Sequence, residues 1–565
     1  MFRRVRLIAL FAVIFLLTLR FYTQRRSILD VTEGKTSGPW REEWGFPAKK
    51  SHRKGGNNTA NDEADEYADY LRELARNHGL TNNIPFFARR IKPKYSSPSL
   101  KTRPSLTQVK NPLMKSPHGF VRARLDNDHL RVHPVDPTPL TLPIARTGPK
   151  PPSIDASSLL FGISTTYARL SYANNAILHD WAAWLTDGRG TSNGAGLVLT
   201  LHGATEAQVT TIRHALHHLG IDVSLTASQE GDTDSGGRYA QLVQQMMRHR
   251  HLEPERTWFA LVDDDVFFPC VGRLLSRLQT FDHTSAYYVG VPSERADWVV
   301  DSNIAMTYGG GAVFLTAGML DMAGQLLCLQ YTTHGGHTGD VDEPNGMTWD
   351  ESLYKCIARN APDVRLHILP GLYSPSHQPN PSSHAGGYGS GMLPLALHRY
   401  RNYHRFEAGK GHVVASACGE ECFLQRFLFK DSWVLVNGYT LTHFPEGVTA
   451  QKHKAPKKNN KTNADSDEGA KPGERLTIMD DDDTNFQTGE RHSLSWKGRK
   501  KTWRLLDARI RDNGEVWQAY VNRKGGGNSV SADMDERQPG DVVHHDEEER
   551  SDVDSVVVLV WEAQK

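Results

Sequence analysis

The sequence predicts an α/β protein with a doubly wound, mainly parallel sheet, carried behind a membrane anchor and a disordered stem and followed by a small C-terminal β appendage. Three observations predict it. Between about residues 158 and 450, short apolar strands alternate with amphipathic helical stretches, the pattern of βαβ units. The apolar run Trp258-Phe259-Ala260-Leu261-Val262 ends in Asp263, Asp264 and Asp265 before Val266-Phe267-Phe268 resumes, as a buried strand does when its carboxyl end opens onto a ligand crevice. Residues 27–155 are rich in Pro, Lys, Arg, Ser and Asn, a composition too polar to build a core alone.

The first element is the amino terminus, Met1-Phe2-Arg3-Arg4-Val5-Arg6, then Leu7 to Leu19 without a charge, then Arg20, Arg25 and Arg26. Residues 1–26 are expected to form a cytoplasmic tail and signal-anchor helix, because no small-residue cleavage site precedes the arginines. The apolar run is shorter than the roughly 20 residues of an ordinary span, which keeps a signal-peptide core as the alternative. Arginines at both ends can snorkel to the membrane surface. Their balance gives no orientation. A luminal position for the rest of the chain rests on the lack of a second span, on the sequons Asn57-Asn58-Thr59 and Asn460-Lys461-Thr462, and on the cysteines. In an oxidising lumen, Cys418 and Cys422 would close a short loop and Cys328 and Cys356 a longer one, leaving Cys270 a buried thiol. Zinc is the competing use, weakened by the absence of a second pair at ligand spacing.

The stem, 27–155, holds one amphipathic helical stretch, around Glu63 to Asn77. Order is expected over 156–450. Leu159 to Ile163 and Gly196 to Leu201 read as strands, with helical spacing from Tyr172 to Leu185 that sets Trp181 and Trp184 on one face. Arg238 to His249 is a further helix, leading into the acid-ended strand. Residues 451–490, with the run Asp480 to Asp483, are expected to be a disordered, solvated insertion. Residues 491–565 alternate apolar and charged positions from Lys501 to Arg523 and finish in Val556 to Trp561 around an acidic insert, hence the β appendage.

Three adjacent carboxylates repel one another, so their place at a strand end predicts a hard divalent cation, Mn²⁺ or Mg²⁺, held against a diphosphate. Clustered aspartates also serve metal-dependent phosphoryl transfer and phosphodiester hydrolysis, but no Gly-x-x-x-x-Gly-Lys-Ser/Thr occurs. The balance of 66 basic and 65 acidic residues, 66 − 65 = +1 over 565 residues, gives no sign of a nucleic-acid partner. Gly309, Gly310 and Gly311 between apolar residues permit close backbone approach, as a plain turn would also require. Asp350 stands where a helix could start, a place that also suits a first-turn acid complementing the dipole.

The order Asp263-Asp264-Asp265, then Gly309-Gly310-Gly311-Ala312, then an acid six residues before Cys356, resembles the Fringe family of β-1,3-glycosyltransferases, glycosyltransferase family 31, and its fungal-type branch most closely. Phe161 to Thr166 with Arg169-Leu170, Cys418 to Phe429 and Val436-Asn437-Gly438-Tyr439 support it. The resemblance covers about residues 158–450 and resumes weakly at Lys501 to Lys524 and Ser555 to Glu562. It implies a GT-A fold and an inverting, metal-dependent transfer from a UDP-sugar to a glycan or glycoprotein hydroxyl in the Golgi. Carried over, Asp263 and Asp265 would ligate Mn²⁺ or Mg²⁺. Asp264, Gly310, Gly311, Thr165 and Arg169 would hold the donor. Asp350 would be the catalytic base, with Glu351 as fallback. The family's metal-binding histidine aligns with Tyr373, so His377 is the candidate replacement, and a transferase fold without activity is the alternative. The resemblance leaves the oligomeric state open.

Overall fold

The computed structural model describes residues 60–96, 105–114, 119–126, 136–145, 154–188, 190–228, 235–290, 299–300, 304–305, 311–332, 336–337, 348–369, 391, 394–401, 406–453, 476–478, 491–525 and 551–563. The expected anchor, both sequons, Gly310, Tyr373, His377 and the run Asp480 to Asp483 lie outside the described residues. Among the described residues no helix is long and apolar enough to cross a membrane.

Helix α1 (Ala60–His78) leads into strands β1 (Asn83–Ser96), β2 (Thr107–Val109), β3 (Val121–Arg124) and β4 (Asp136–Ala145). The alternating part follows: β5 (Leu159–Thr166), α2 (Tyr167–Ser171), α3 (Ala176–Leu185), β6 (Gly196–His202), α4 (Glu206–His218), β7 (Val223–Ser228), α5 (Ser235–Leu252) and β8 (Trp258–Val262). After the acids come β9 (Val266–Phe267), α6 (Val271–Leu278), β10 (Tyr288–Gly290), β11 (Ala312–Thr316), α7 (Ala317–Gln325), α8 (Trp349–Asn360), β12 (Leu366–Ile368) and β13 (Leu397–His398). The chain closes with β14 (Arg426–Phe429), β15 (Trp433–Val436), β16 (Thr440–His443), β17 (Leu476–Ile478), β18 (Lys501–Ile510), β19 (Val516–Asn522) and β20 (Ser555–Trp561).

One eight-stranded sheet has the order β17-β12-β10-β11-β8-β5-β6-β7. Its pairs are parallel except at β11, which runs antiparallel to both β8 and β10. This mixed α/β sheet fits the expected GT-A type. Strands β5, β6 and β8 are apolar without alternation and buried on both faces, as central parallel strands must be when helices cover both sides. Trp181 and Trp184 of α3 are both fully buried, and Trp184 meets Phe161 and Phe268 edge-on. On the opposite face, α5 packs Tyr239, Val243 and Met246 against the sheet. At Gly162 a Cβ would stand 2.8 Å from Met246 Sδ, so a side chain there would push that flexible methionine aside.

The second sheet corrects two expectations. It has ten strands, in the order β2-β14-β15-β16-β18-β19-β20-β1-β3 with β4 on β1. The described part of the expected disordered stem is therefore folded. Strand β1 lies parallel to β20, with Phe86 opposite Val556 and Ile91 opposite Trp561. Ile84, Phe86 and Ala88 join α1 in one core while Phe87 and Ile91 enter another. The segment cannot build a core alone, and its apolar partners are supplied from the far end of the chain. The expected small appendage is likewise the middle of this sheet, and β16 pairs with β18 across the boundary drawn at residue 450. Within the expected insertion, Leu476–Ile478 forms an edge strand beside β12.

Two disulfides match the sequence reading, Cys328–Cys356 and Cys418–Cys422, and Cys270 is free and buried. The first ties α8 to the segment that follows α7. In the second loop, Glu420 accepts from the N–H groups of Val271 and Gly272 at 3.3 Å each. It thereby satisfies the start of α6, close behind the acid triplet.

Candidate metal centre at the carboxyl end of β8

The acids begin where the β8–β11 ladder stops. Val262 pairs with Ala312, and the N–H of Asp263 then donates to Gly311 O at 2.8 Å. After the acids, β9 pairs antiparallel with β13, setting Val266 opposite His398. The Arg399 N–H donates to Asp265 O at 3.2 Å. These backbone contacts hold the His398 ring over the triplet, with Nε2 3.1 Å from Asp263 Oδ2 and 3.3 Å from Asp265 Oδ1. Donor atoms of Asp263, Asp265 and His398 all lie within 4.8 Å of one another. Two carboxylate oxygens and an imidazole nitrogen suit Mn²⁺ and its neighbours, and three protein ligands leave positions for diphosphate oxygens or water. The donor set fits the expected ion.

His398 is the functional residue that sequence reasoning missed. The signal was present as Leu395-Ala396-Leu397-His398, an apolar run ending in a ligand type just as the acid strand does. His377, placed in this role from the sequence, lies outside the described residues.

Asp264 points away from that centre. The Arg169 guanidinium straddles its carboxylate, with Nε donating to Oδ2 at 2.6 Å and Nη2 to Oδ1, and the Thr165 hydroxyl donates to Oδ2. Trp181 Nε1 donates to the Asp264 backbone carbonyl at 3.1 Å. Burial pushes the Asp264 carboxyl up, opposed by Arg169 and Thr165, while the hydrogen bond to Asp264 raises Arg169. The structure thus brings Thr165, Arg169 and Asp264 together as one unit. Arg169 Nη2 also lies 3.8 Å from Asp265 Oδ2, so the guanidinium stands beside the metal-type ligands. Burial pushes the Asp265 carboxyl up, and the hydrogen-bonded His398 together with Arg169 and Arg399 holds the group below its ordinary value.

Asp263 is gripped from the other face. Trp349 Nε1 donates to its Oδ1 at 2.6 Å and the Tyr239 hydroxyl to the same oxygen at 3.3 Å. The single Tyr239 proton is shared, going mainly to Val262 O at 2.8 Å, and burial, reinforced by Asp263, pushes its phenol well up. It remains a proton donor. The two rings stack at 4.0 Å with an interplanar angle of 8°.

Asp350 is in the first turn of α8, directly after Trp349. Burial raises its carboxyl above the ordinary value, the Thr348 side chain opposes this, and the negative charge of Asp263 adds to it. A raised carboxyl beside a cation site is the type of group that can take up a proton. Glu351 instead pairs with Lys355 at 3.2 Å, which occupies the fallback base.

Gly311, expected to line the donor pocket, also leaves the space that the His398 ring occupies. A Cβ on it would stand 2.7 Å from His398 Cδ2 and Cγ, so a side chain there would displace the ring.

Asp263, Asp265 and His398 thus form a candidate metal site at the carboxyl end of a parallel strand, where ligands of such sheets bind. Residues 224–323 match the family model described as Fringe-like, a stretch containing the acid triplet and Gly311. A comparison with curated proteins found no match. Among solved structures, the chain is similar to the glycosyltransferase GlyE of Streptococcus pneumoniae TIGR4, with 13% identity over 43% of this chain and 54% of GlyE and a TM-score of 0.26. A second is a glycosyltransferase involved in glycosylation of the major capsid of PBCV-1, at 12% identity, 45% and 98% coverage and a TM-score of 0.23. A third is mouse xyloside xylosyltransferase 1 in its apo form, at 12% identity, 42% and 96% coverage and a TM-score of 0.26. The chain spans about half the length of GlyE. At such scores the likeness specifies neither chemistry nor substrate.

Proposed function

We propose that the protein is an inverting glycosyltransferase of the fungal Fringe-like type, moving a sugar from a UDP-sugar to a hydroxyl of a glycan or glycoprotein, with a β-1,3 linkage. The observation that carries this reading is the convergence of Asp263 and Asp265, which lie in the Fringe-like stretch, with His398, the donor atoms all within 4.8 Å of one another. A bound Mn²⁺ or Mg²⁺ would supply Lewis-acid neutralisation of the leaving diphosphate. Asp263, Asp265 and His398 would hold the ion. Arg169, fixed by Asp264 and Thr165, sets a positive charge beside the same phosphates. Asp350 accepts the proton of the acceptor hydroxyl as its oxygen attacks the anomeric carbon from the side opposite the diphosphate. His398 supplies the ligand whose absence motivated the inactive reading.

A luminal, single-pass type II placement in the Golgi membrane belongs to the same proposal. The two disulfides support an oxidising compartment. The test is UDP release from a panel of UDP-sugars by the purified luminal part, with and without Mn²⁺ and with Asp350→Asn as control. Turnover of one donor that requires both Mn²⁺ and Asp350 is expected. Mn²⁺-independent turnover, or full turnover by Asp350→Asn, would overturn the mechanism.

A further inference from the structure

We propose that Trp349 is a positioning residue that presents Asp263 to the metal and ties the helix of the base to the acid motif. The inference rests on the transferase reading. An aspartate carboxylate is a broad two-fold rotor about its last torsion, so its oxygens exchange roles unless something distinguishes them. Here Trp349 Nε1 donates to Oδ1 at 2.6 Å, and the Tyr239 hydroxyl, whose one proton is shared with Val262 O, reaches the same oxygen more weakly at 3.3 Å. The other oxygen, Oδ2, lies 3.1 Å from His398 Nε2. One oxygen is committed to the protein and the other to the ligand cluster.

The donors are themselves fixed. Trp349 and Tyr239 are buried and stacked at 4.0 Å, and Tyr239 is anchored to Val262 O on the strand that carries the acids. A buried indole N–H needs some acceptor. This one has taken the carboxylate of a metal-type ligand, and the next residue in the chain is Asp350. The hydrogen bond is therefore a direct link between the group that holds the diphosphate's cation and the group that takes the acceptor's proton. Fixing that spacing before substrate arrives avoids reorganisation during the reaction.

Trp349→Phe tests this, since it keeps an aromatic ring against Tyr239 and removes only the N–H and part of the ring area. Manganese binding is read from the electron paramagnetic resonance of free Mn²⁺ in the presence of saturating UDP, and transfer is measured separately at saturating Mn²⁺. Loss of an outer partner of a metal ligand ordinarily costs about 10–100-fold in affinity, so the Mn²⁺ dissociation constant is expected to rise about tenfold or more. The rate at saturating Mn²⁺ is expected to fall as well, with the KM for the donor nearly unchanged. Tyr239→Phe should give a smaller loss, and the double variant less than the sum, because both donors act on one oxygen. Wild-type Mn²⁺ binding by a folded Trp349→Phe, while Asp263→Asn binds weakly, would overturn this inference and leave the transferase reading standing. Wild-type Mn²⁺ binding by Asp263→Asn as well would overturn both.

Discussion

The His398 ring lies directly over the Cα of Gly311, so closely that a Cβ would stand 2.7 Å from it. The same glycine accepts the Asp263 N–H at 2.8 Å. One small residue thus fixes the height of both an acid and the imidazole above the end of the sheet. The requirement is for space rather than for an unusual backbone angle.

Gly311→Ala is therefore expected to move His398 off the acids while leaving the buried sheet intact. Displacing a ligand through its support should weaken Mn²⁺ binding by about 10–100-fold. A Mn²⁺ titration of UDP binding checks it, and an unchanged titration would show that the ring can shift without leaving the site.

His398→Ala should abolish Mn²⁺-dependent UDP binding, and His377→Ala should leave it at the wild-type level. The two variants separate the histidine that the structure places on the acids from the one the sequence suggested. Activity in His398→Ala with loss in His377→Ala would reverse the assignment. In the wild type, chelation with EDTA should stop turnover, and added Mn²⁺ should restore it.

The parts of this arrangement legible in the sequence are those carried by local pattern. The apolar run of β8 and its abrupt acids announce themselves within eleven residues, as does Asp350 at a helix start. The cysteine pairs were legible because Cys418 and Cys422 stand only four apart, and Cys328 and Cys356 close the next loop. His398 was not, because it is separated from Asp265 by more than 130 positions and meets it only through a two-residue strand pair, β9 with β13. Strand β1 was hidden for a similar reason. Its half of the apolar surface is completed by Val556 to Trp561, and composition averaged over a window cannot register a partner at the other end of the chain.

Asp350→Asn should retain Mn²⁺ and UDP binding and lose transfer by about 10²–10⁴-fold, the usual contribution of a general base. In the wild type, transfer at saturating Mn²⁺ should rise with pH along a limb set above the ordinary aspartate value, because burial raises the Asp350 carboxyl and only the ionised form accepts a proton. The same shift bears on stability. A carboxyl raised in the folded state stabilises the fold fully below its unfolded value, and that contribution is lost as pH rises through the folded value. Asp350→Asn should then have a thermal midpoint at neutral pH equal to or above that of the wild type. A pH-independent rate, or a midpoint well below the wild type, would contradict this account.

Glu420 gives a second pH signature, away from the acids. Burial raises its carboxyl to about 7, against the hydrogen bonds from Cys270 and from the Val271 and Gly272 N–H groups. Its stabilising contribution is present below an ordinary glutamate pKa of about 4.3 and is lost as pH rises through about 7. Glu420→Gln keeps an acceptor for the start of α6 and cannot ionise, so the fall in thermal midpoint between those values should shrink. An identical pH profile in the variant would show that Glu420 does not titrate there.

Tyr67 decides whether the amino-terminal segment belongs to the folded unit. It is fully buried on α1, stacked on Trp517 at 4.6 Å and tilted against Phe86 at 5.9 Å. Its neighbours come from strands β1 and β19, so the ring joins the start of the chain to the middle of the ten-stranded sheet. Removing a buried aromatic side chain of this kind ordinarily costs about 3–5 kcal/mol. Tyr67→Ala should therefore lower the unfolding midpoint in denaturant, and deletion of residues 60–78 should expose the apolar face made by Trp517, Val556 and Val558 and cause aggregation. A tether would tolerate both changes. Unfolding curves that superimpose on the wild type would return this segment to the role of a stem.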